Sequence, residues 1–415
     1  MARSLDVYLH GHFVGNLIQD DGGQMVFEYA QSWLDDPDAF PLSHSLPLRA
    51  GRFTQNECRG FFGGTLPEEV SRKVIARILG ISDRNDFAML EHIGGECAGA
   101  VTFLSQGTAL LDVDSSYRQL TEQELARILR ELPRRPLMAG EDGIRLSLAG
   151  AQDKIAVRFK DGQTSIPLGS APSTHIIKPA IATYEGVVFN EALCMSLAAT
   201  VGLPTAKTSI GRVDEIDYLL IERFDRQVDP GGHIHRLHQE DFCQALGLPP
   251  EIKYQEEGGP SLGDAFALLR DVSSSPVLDL RALLDAVMFN LIIGNHDAHA
   301  KNFSLLYMPD QTTSLAPLYD LVSTVFYPEL TAKMAMKIGG ADKSDLVFPD
   351  NVARLAKDAG LAPAPTLMRV PALTAAVLQA VDAVEKPHKT SEEVADLIRK
   401  RCSSIMSRFK RNKRS

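Results

Sequence analysis

The sequence predicts an α+β protein in three parts: an N-terminal α+β domain over residues 1–135, an antiparallel-sheet lobe over 136–225 and a mostly helical lobe over 226–415. Three observations carry that expectation. Residues 5–29 alternate apolar and polar side chains around the turn signals His10-Gly11 and Asp21 to Gly23, which is strand periodicity. The alternation returns between residues 143 and 222, and beyond residue 238 helical spacing dominates. The break between the first two parts is set by Pro-Arg-Arg-Pro, near residues 133–143.

In chain order, TLPEEVSRKVIARILG predicts a helix: Pro67 comes early, Glu68 and Glu69 fill the first turn, and Gly80 stops it. Its apolar residues Val70, Val74, Ile75, Ile78 and Leu79 recur at helical spacing. Thr121 and Glu124 form a capping box ahead of Leu125, Ile128 and Leu129. GIRLSLAGAQDKIAVRFKDGQTSIPL reads as strand, glycine turn, strand, turn and strand, and STHIIKPA as a further strand ending in Lys178. NEALCMSLAATVGLP is a helix stopped by Gly202 and Pro204, and a strand pair turning at Asp214-Glu215 follows.

A chain of 415 residues with 44% apolar and 23% charged residues has room for two or three folded lobes and lacks a disorder bias. Its most apolar run, LLDAVMFNLIIG, is too short to span a bilayer and carries Asp285 and Asn290, and the N-terminus lacks a signal-peptide core, so the expected location is cytoplasmic, with no membrane contact. Cys58, Cys97, Cys194, Cys243 and Cys402 are scattered, which indicates reduced thiols rather than a disulfide framework or a zinc site. A net charge of −10 argues against a chain that coats nucleic acid by itself. Arg399 to Ser415 nevertheless carries eight Lys/Arg and no acid. There Thr390 and Glu393 suggest a capping box, and Val394, Leu397, Ile398, Ile405, Met406 and Phe409 one face of a docked helix with a basic end.

The order of polar landmarks points to chemistry. A glycine turn between strands, a strand ending in Lys178, a helix carrying Glu191, the strand LLIERF, a helical region with Asp297 and Asn302, and then Asp320 follow one another as the parts of a protein kinase do. The Asp297 to Asn302 interval of five is that of the kinase catalytic loop, and Asp320 lies 18 residues further on, after an apparent hairpin. Phosphoryl transfer needs positioning and charge neutralisation. Asn302 and Asp320 supply hard oxygen donors suited to Mg²⁺ beside phosphate oxygens, and Lys178 a cation for the α/β-phosphates. Glu191 either pairs with Lys178 or is a first-turn acid serving its own helix. His296 and His299 suit structural hydrogen bonding better than metal binding, and His233, His235 and His238 read as a solvated segment without a carboxylate at ligand spacing.

LSLAGAQDKIAV, THIIKP, ERFDR, HQEDFCQALGLP, KYQEEGGP, GNHDAHAKNFS and PLYDLVS, in that order, resemble the HipA family of bacterial toxin serine/threonine kinases. PLSHSLPL, FFGGTLPE and IGGECAGAVTFL resemble that family's N-terminal domain, so the likeness covers nearly the whole chain. The resemblance implies a bilobal protein-kinase-like fold, ATP and Mg²⁺ as cofactors, and a HipB-like DNA-binding antitoxin through which alone DNA is contacted. It further implies a growth-arresting toxin whose substrate is a protein, with an aminoacyl-tRNA synthetase such as glutamyl-tRNA synthetase the type of target.

By residue, the resemblance assigns catalysis to Asp297, metal binding to Asn302 and Asp320, and phosphate binding to Lys178. It assigns the adenine-side hinge to Glu222, Arg223 and Phe224, and the phosphate loop to Ser147, Leu148, Ala149, Gly150, Ala151, Gln152, Asp153 and Lys154. His299 and Lys301 join the nucleotide contacts, and Ser147 is the autophosphorylated serine, with Arg145 a nearby cation for its phosphate. Asp320 is followed by Leu-Val rather than Phe-Gly, and the loop has Gly150 in place of a glycine triplet. All candidate catalytic residues follow residue 135, so the first domain is expected to serve restraint or partner binding more than ATP chemistry. Two other readings stay open: a small-molecule phosphotransferase, separated by whether phosphate enters protein or metabolites, and a non-catalytic co-repressor, for which intact ATP residues would be unnecessary.

Overall fold

The computed structural model describes residues 2–108 and 117–411. The chain forms two compact units, one from Met1–Pro179, Gly211–Glu251 and Leu305–Thr312, the other from Ala180–Ile210, Ile252–Ser304 and Thr313–Ser415. Its two larger sheets are both antiparallel. Its N-terminal sheet runs in the order Arg52–Phe53, Met25–Tyr29, His12–Gln19, Arg3–Leu9 and Val101–Ser105. The predicted turn is present, with His10 and Gly11 both at positive φ.

The second sheet runs Ile216–Glu222, His175–Pro179, Ile155–Lys160, Gln163–Pro167 and Tyr117–Gln119, and the Asp214 turn joins Thr208–Val213 to its first strand. Residues 143–148, expected as a strand, make only one isolated bridge there, Leu146 to Glu96. A continuous buried cluster extends from Leu5 through Phe62, Phe103, Leu129 and Leu146 to Leu220, so the N-terminal sheet and the second sheet share one core. The Pro-Arg-Arg-Pro segment is correspondingly no open linker: Pro136, Leu137 and Met138 are buried in a single 3-10 turn. The division expected near 133–143 is therefore not where the compact units part.

Helices Glu69–Leu79 and Glu122–Glu131 match their signals, the first closed by Gly80 in the left-handed region and the second opened by the Thr121/Glu124 capping box. In the first helix, periodicity misjudged the face. Val70 is 69% exposed and Ile78 40%, while Ser71, Ile75 and Ala76 are buried.

The second unit is built on helices Val187–Thr200, Leu262–Val272, Pro276–Ile293, Pro349–Asp358, Pro363–Ala383 and Lys389–Arg411. Pro276 opens the third of these at its first turn, where its missing N–H costs nothing. Pro363–Ala383 is long and apolar enough to cross a membrane by length and composition, but it packs against Pro276–Ile293, Pro349–Asp358 and Lys389–Arg411 with Val370, Leu373, Val377 and Val381 buried. The last helix begins at Lys389, so Thr390 lies inside it rather than at its cap. Val394, Ile398, Cys402, Ile405 and Phe409 are buried along it.

Candidate active site

The catalytic-loop candidate grows from the C-terminus of helix Pro276–Ile293, and that end is thoroughly capped. Gly294 adopts φ 76°, and a Cβ there would stand 2.4 Å from Val325 Cγ2, so glycine is required twice over. The terminal carbonyls, which no intrahelical N–H reaches, find other donors. Arg401 donates to Leu291 and Ile292 carbonyls at 2.7 and 3.1 Å, Ser323 Oγ to Ile293 at 2.6 Å, and Thr324 Oγ1 to Gly294 at 3.1 Å. One basic residue of the C-terminal segment thus serves a helix end, where a cation is favoured by the dipole. Burial and the nearby Arg408 lower its pKa to about 10. Arg408 is likewise engaged inside the unit, with the carbonyls of Ser344, Asp345 and Val347.

From that end the loop 295–302 is fastened to the segment around Asp320. Asn295 Oδ1 accepts the Asp297 amide at 3.2 Å, and its Nδ2 donates to the Asp320 carbonyl at 3.2 Å and to Asn290 Oδ1 at 2.9 Å. Tyr319 Oη donates to the Lys301 carbonyl at 2.8 Å and lies 2.6 Å from Ser304 Oγ. The neighbours of Asn302 and Asp320 in sequence are therefore bonded to each other, which brings both expected metal donors into one neighbourhood. Asn190 holds the next residues, accepting the Ser323 amide at 2.9 Å and donating to its carbonyl at 3.1 Å.

Asp320 itself sits at φ 54°, a left-handed conformation that costs a non-glycine residue free energy and that surrounding bonds must over-determine. Asp297 is exposed and receives the Tyr254 hydroxyl at 2.9 Å on Oδ1. His296 is a structural anchor: its amide donates to Thr324 Oγ1 at 2.7 Å, its carbonyl accepts the Ala335 amide at 2.7 Å, and its Nε2 lies 2.8 Å from Ser344 Oγ. Burial, then the charge of Arg401, lower its pKa, which keeps the ring neutral. His299 is buried and stands edge-on to Tyr254, and Lys301 is also buried. A small, partly open pocket lies beside the loop, lined by Asn295, His296, Ala298, Phe303, Met334 and Met336 among others.

The donors Asn302 and Asp320 are an amide and a carboxylate, and among the described residues no group of three or more His, Cys, Asp and Glu is arranged to hold a metal. Such a sparse hard-oxygen pair fits a Mg²⁺ ion whose remaining ligands come from phosphate and water.

In the first unit, Gly150 takes φ 106° in the phosphate-loop candidate, and Lys154 Nζ donates to the Ala149 carbonyl at 2.6 Å, closing the loop on itself. Leu148 is buried, Ala149, Gln152 and Asp153 half-buried, and Ala151 exposed. Burial raises the pKa of Asp153. Ser147 is fully buried, with Oγ donating to the Thr65 carbonyl at 2.8 Å and its amide to the Glu96 carbonyl at 2.8 Å. Residues of the first 135 therefore hold the loop root, beyond the restraint role expected of them. Arg145 donates to the carbonyls of Glu91 and Phe103 at 2.8 and 2.9 Å, so it is committed away from any phosphate on Ser147.

Lys178, 5% exposed, lies on strand His175–Pro179 opposite Leu219. In the hinge candidate, Glu222 pairs with His175 and is exposed, and Phe224 is half-buried. The Arg223 side chain instead turns into a buried ionic cluster, meeting Asp225 at 2.7 Å and Glu96 at 3.1 Å, and its amide donates to the Thr174 carbonyl. The Arg223 charge is thus committed to that cluster, and its carbonyl accepts the Arg226 amide at 3.3 Å.

Glu191 is buried and is the fifth residue of helix Val187–Thr200, so the first-turn reading is set aside because the helix starts earlier than NEAL implied. Asp229 supplies the carboxylate that the histidine segment lacked in sequence, standing 3.3 Å from His233 and 3.2 Å from His235 on an exposed hairpin, while His238 is buried against the Leu42 carbonyl. Asn295, Tyr254 and Glu96 carried no role in the sequence reading. Asn295 had one usable signal, its place two residues before Asp297.

The HipA N-terminal domain family model matches residues 5–104, and the HipA-like C-terminal domain model residues 146–406. Y4mE of Sinorhizobium fredii, whose name presents it as a candidate kinase, is 48% identical over 364 residues, 87% of this chain and 86% of its own. The serine/threonine-protein kinase toxin HipA of Shewanella oneidensis is 30% identical over 370 residues, 86% of this chain and 84% of its own. A chain from the solved Shewanella oneidensis toxin–antitoxin complex of HipA, HipB and operator DNA superposes with a TM-score of 0.84 at 27% identity, covering 98% of this chain and 97% of that one. With both domain models matched in order, and a named toxin kinase similar over most of its length, the chain belongs to the HipA-like family of toxin serine/threonine protein kinases.

Proposed function

We propose that this chain transfers the γ-phosphoryl group of ATP to a serine or threonine hydroxyl of a protein. The observation that supports it most is the Asn295 bridge, which ties the Asp297 amide and the Asp320 carbonyl through one side chain in a member of this kinase family. Asp297 takes the acceptor proton as the acceptor oxygen bonds to the γ-phosphorus, and the bond from that phosphorus to the bridging oxygen breaks to leave ADP. Asn302 and Asp320 hold Mg²⁺, which neutralises phosphate charge when bound, and Lys178 meets the α/β-phosphates. The loop Ser147–Lys154 covers the phosphates, Glu222 to Phe224 line the adenine side, His299 and Lys301 complete the nucleotide contacts, and Glu191 is the candidate partner of Lys178.

In this reading the chain is the cytoplasmic toxin of a toxin–antitoxin pair, held by a HipB-like antitoxin that contributes the DNA contact. Its substrate is a translation protein, with an aminoacyl-tRNA synthetase such as glutamyl-tRNA synthetase the candidate. Phosphoproteomics after brief induction, comparing the intact chain with Asp297→Asn, tests the activity and names the target. Phosphosites that do not differ between the two would sink the reading.

Asp320→Asn is expected to weaken Mg·ATP binding at least tenfold, because it removes the charged metal donor while asparagine still tolerates the left-handed backbone. Calorimetric titration of Mg·ATP checks it, and unchanged affinity counts against the metal assignment.

Ser147 is proposed as an off switch by autophosphorylation. Its hydroxyl is buried on the Thr65 carbonyl, so phosphorylation requires the loop root to leave its seat. A group carrying about −1.5 to −2 charges cannot return to a fully buried seat facing the Thr65 carbonyl or sit beside ATP. Intact mass after incubation with Mg·ATP should show one added phosphate mapping to Ser147, with ATP affinity reduced more than tenfold in the modified form. A modified protein that binds ATP normally rejects the switch.

A further inference from the structure

Tyr254 belongs to the stretch KYQEEGGP, to which the proposed reaction gives no part. Its hydroxyl donates to Asp297 Oδ1 at 2.9 Å, and its ring stands edge-on to His299 with centroids 5.4 Å apart, so the one side chain grips the loop 295–302 at two points. The next two residues are fastened in turn. Gln255 Oε1 accepts the Lys337 amide at 2.7 Å, and Glu256 meets Lys333 at 2.5 Å. Both partners lie on strand Lys333–Ile338, whose Ala335 amide donates to the His296 carbonyl at 2.7 Å. Behind the ring the chain turns sharply: Gly258 has φ 95°, and a Cβ on Gly259 would stand 2.8 Å from the Tyr254 carbonyl. The phenol is thus held against the carboxylate by a strap that is itself tied to the loop carrying it.

An exposed aspartate has free rotation about its terminal bond, and an acceptor proton is taken efficiently only when the carboxylate is aimed at it. A charge-assisted bond from Tyr254 to Oδ1 restricts that rotation and helps to set the plane of the group. We infer that Tyr254 is a positioning residue for phosphoryl transfer, holding the Asp297 carboxylate in the orientation in which it receives the acceptor proton. The inference rests on the reading of Asp297 as proton acceptor.

The test follows the initial rate of radiolabel transfer from ATP into the proteins of a cell lysate by the full-length chain, with the KM for ATP measured alongside. Tyr254→Phe keeps the ring on His299 and loses only the O–H. It should lower the rate at saturating ATP about tenfold with KM for ATP and thermal midpoint unchanged, and Tyr254→Ala should fall by a similar factor. A purely structural ring would leave Tyr254→Phe at the wild-type rate, which overturns the inference. A faster Tyr254→Phe also overturns it, because the hydroxyl would then be obstructing the acceptor. Asp297→Asn run in parallel separates the two levels: if it stays active the Asp297 reading fails, and if it is dead while Tyr254→Phe matches wild type only the Tyr254 inference fails.

Discussion

Asp297→Asn should abolish measurable phosphoryl transfer while leaving ATP affinity within a few fold. Asparagine keeps the shape of the side chain, and its amide oxygen can still receive the Tyr254 hydroxyl, so the loop is expected to hold its fold. The backbone tie from residue 297 to Asn295 Oδ1 does not involve the substituted atoms. What is lost is the ability to accept a proton, a contribution of about 10²- to 10⁴-fold for a positioned general base. Single-turnover transfer into a protein lysate, with ATP binding measured separately, checks both halves. Loss of ATP binding together with activity would place Asp297 in nucleotide binding, and undiminished transfer would remove it from the chemistry.

Much of this candidate site could be proposed from sequence because its residues lie close together along the chain. Asp297 and Asn302 share one loop, and Asp320 follows after a single short excursion, so their spacing, taken with the order of Lys178 and the other landmarks, suggested them. Thr121 with Glu124 and Gly80 were legible for the same reason, since a cap is decided by residues within one turn of it. Val70 and Ile78 were misjudged because periodicity identifies an apolar stripe and says nothing of whether a neighbour covers it. Tyr254 lies 43 positions from Asp297, and only the folded chain brings its hydroxyl there. The strand expected at 143–148 failed because a loop root pinned by Thr65 and Glu96 can carry strand-like alternation without a ladder. The Pro-Arg-Arg-Pro segment lies inside one compact unit, where Pro136, Leu137 and Met138 are buried, so its prolines mark a change of direction and not an open linker.

Glu96→Gln should cost roughly 3–5 kcal/mol of stability and loosen the phosphate-loop root, because this carboxylate is the hub of a fully buried ionic cluster. Its Oε1 takes the Ser173 amide at 2.9 Å, Arg223 at 3.1 Å and Arg226 at 2.8 Å, and its Oε2 takes Arg236. Burial alone would raise its pKa, but Arg226, Arg236 and Arg223 together pull it down to about 2. Removing the charge leaves Arg223 and Arg226 with Asp225 as their carboxylate in the cluster and takes from Arg236 the carboxylate it meets there. An exposed pair such as Arg3–Glu91 should lose no more than about 1 kcal/mol when one partner is neutralised. The sign of the pH effect follows from the depressed pKa: the stabilisation from Glu96 is fully present above the ordinary carboxylate range near 4.5 and is lost as pH falls through about 2. The same residue also holds the loop by its backbone, its amide bonded to the Arg145 carbonyl and its carbonyl to the Ser147 amide, each at 2.8 Å. Loss of the side-chain anchor should therefore appear first as faster hydrogen exchange at 145–154 and as a raised KM for ATP, before global unfolding. Chemical denaturation of wild type, Glu96→Gln and Glu91→Gln, with exchange mapped on the same three proteins, measures this. A Glu96→Gln protein as stable as Glu91→Gln, with exchange at 145–154 unchanged, would show that the buried cluster neither stabilises the unit nor holds the loop.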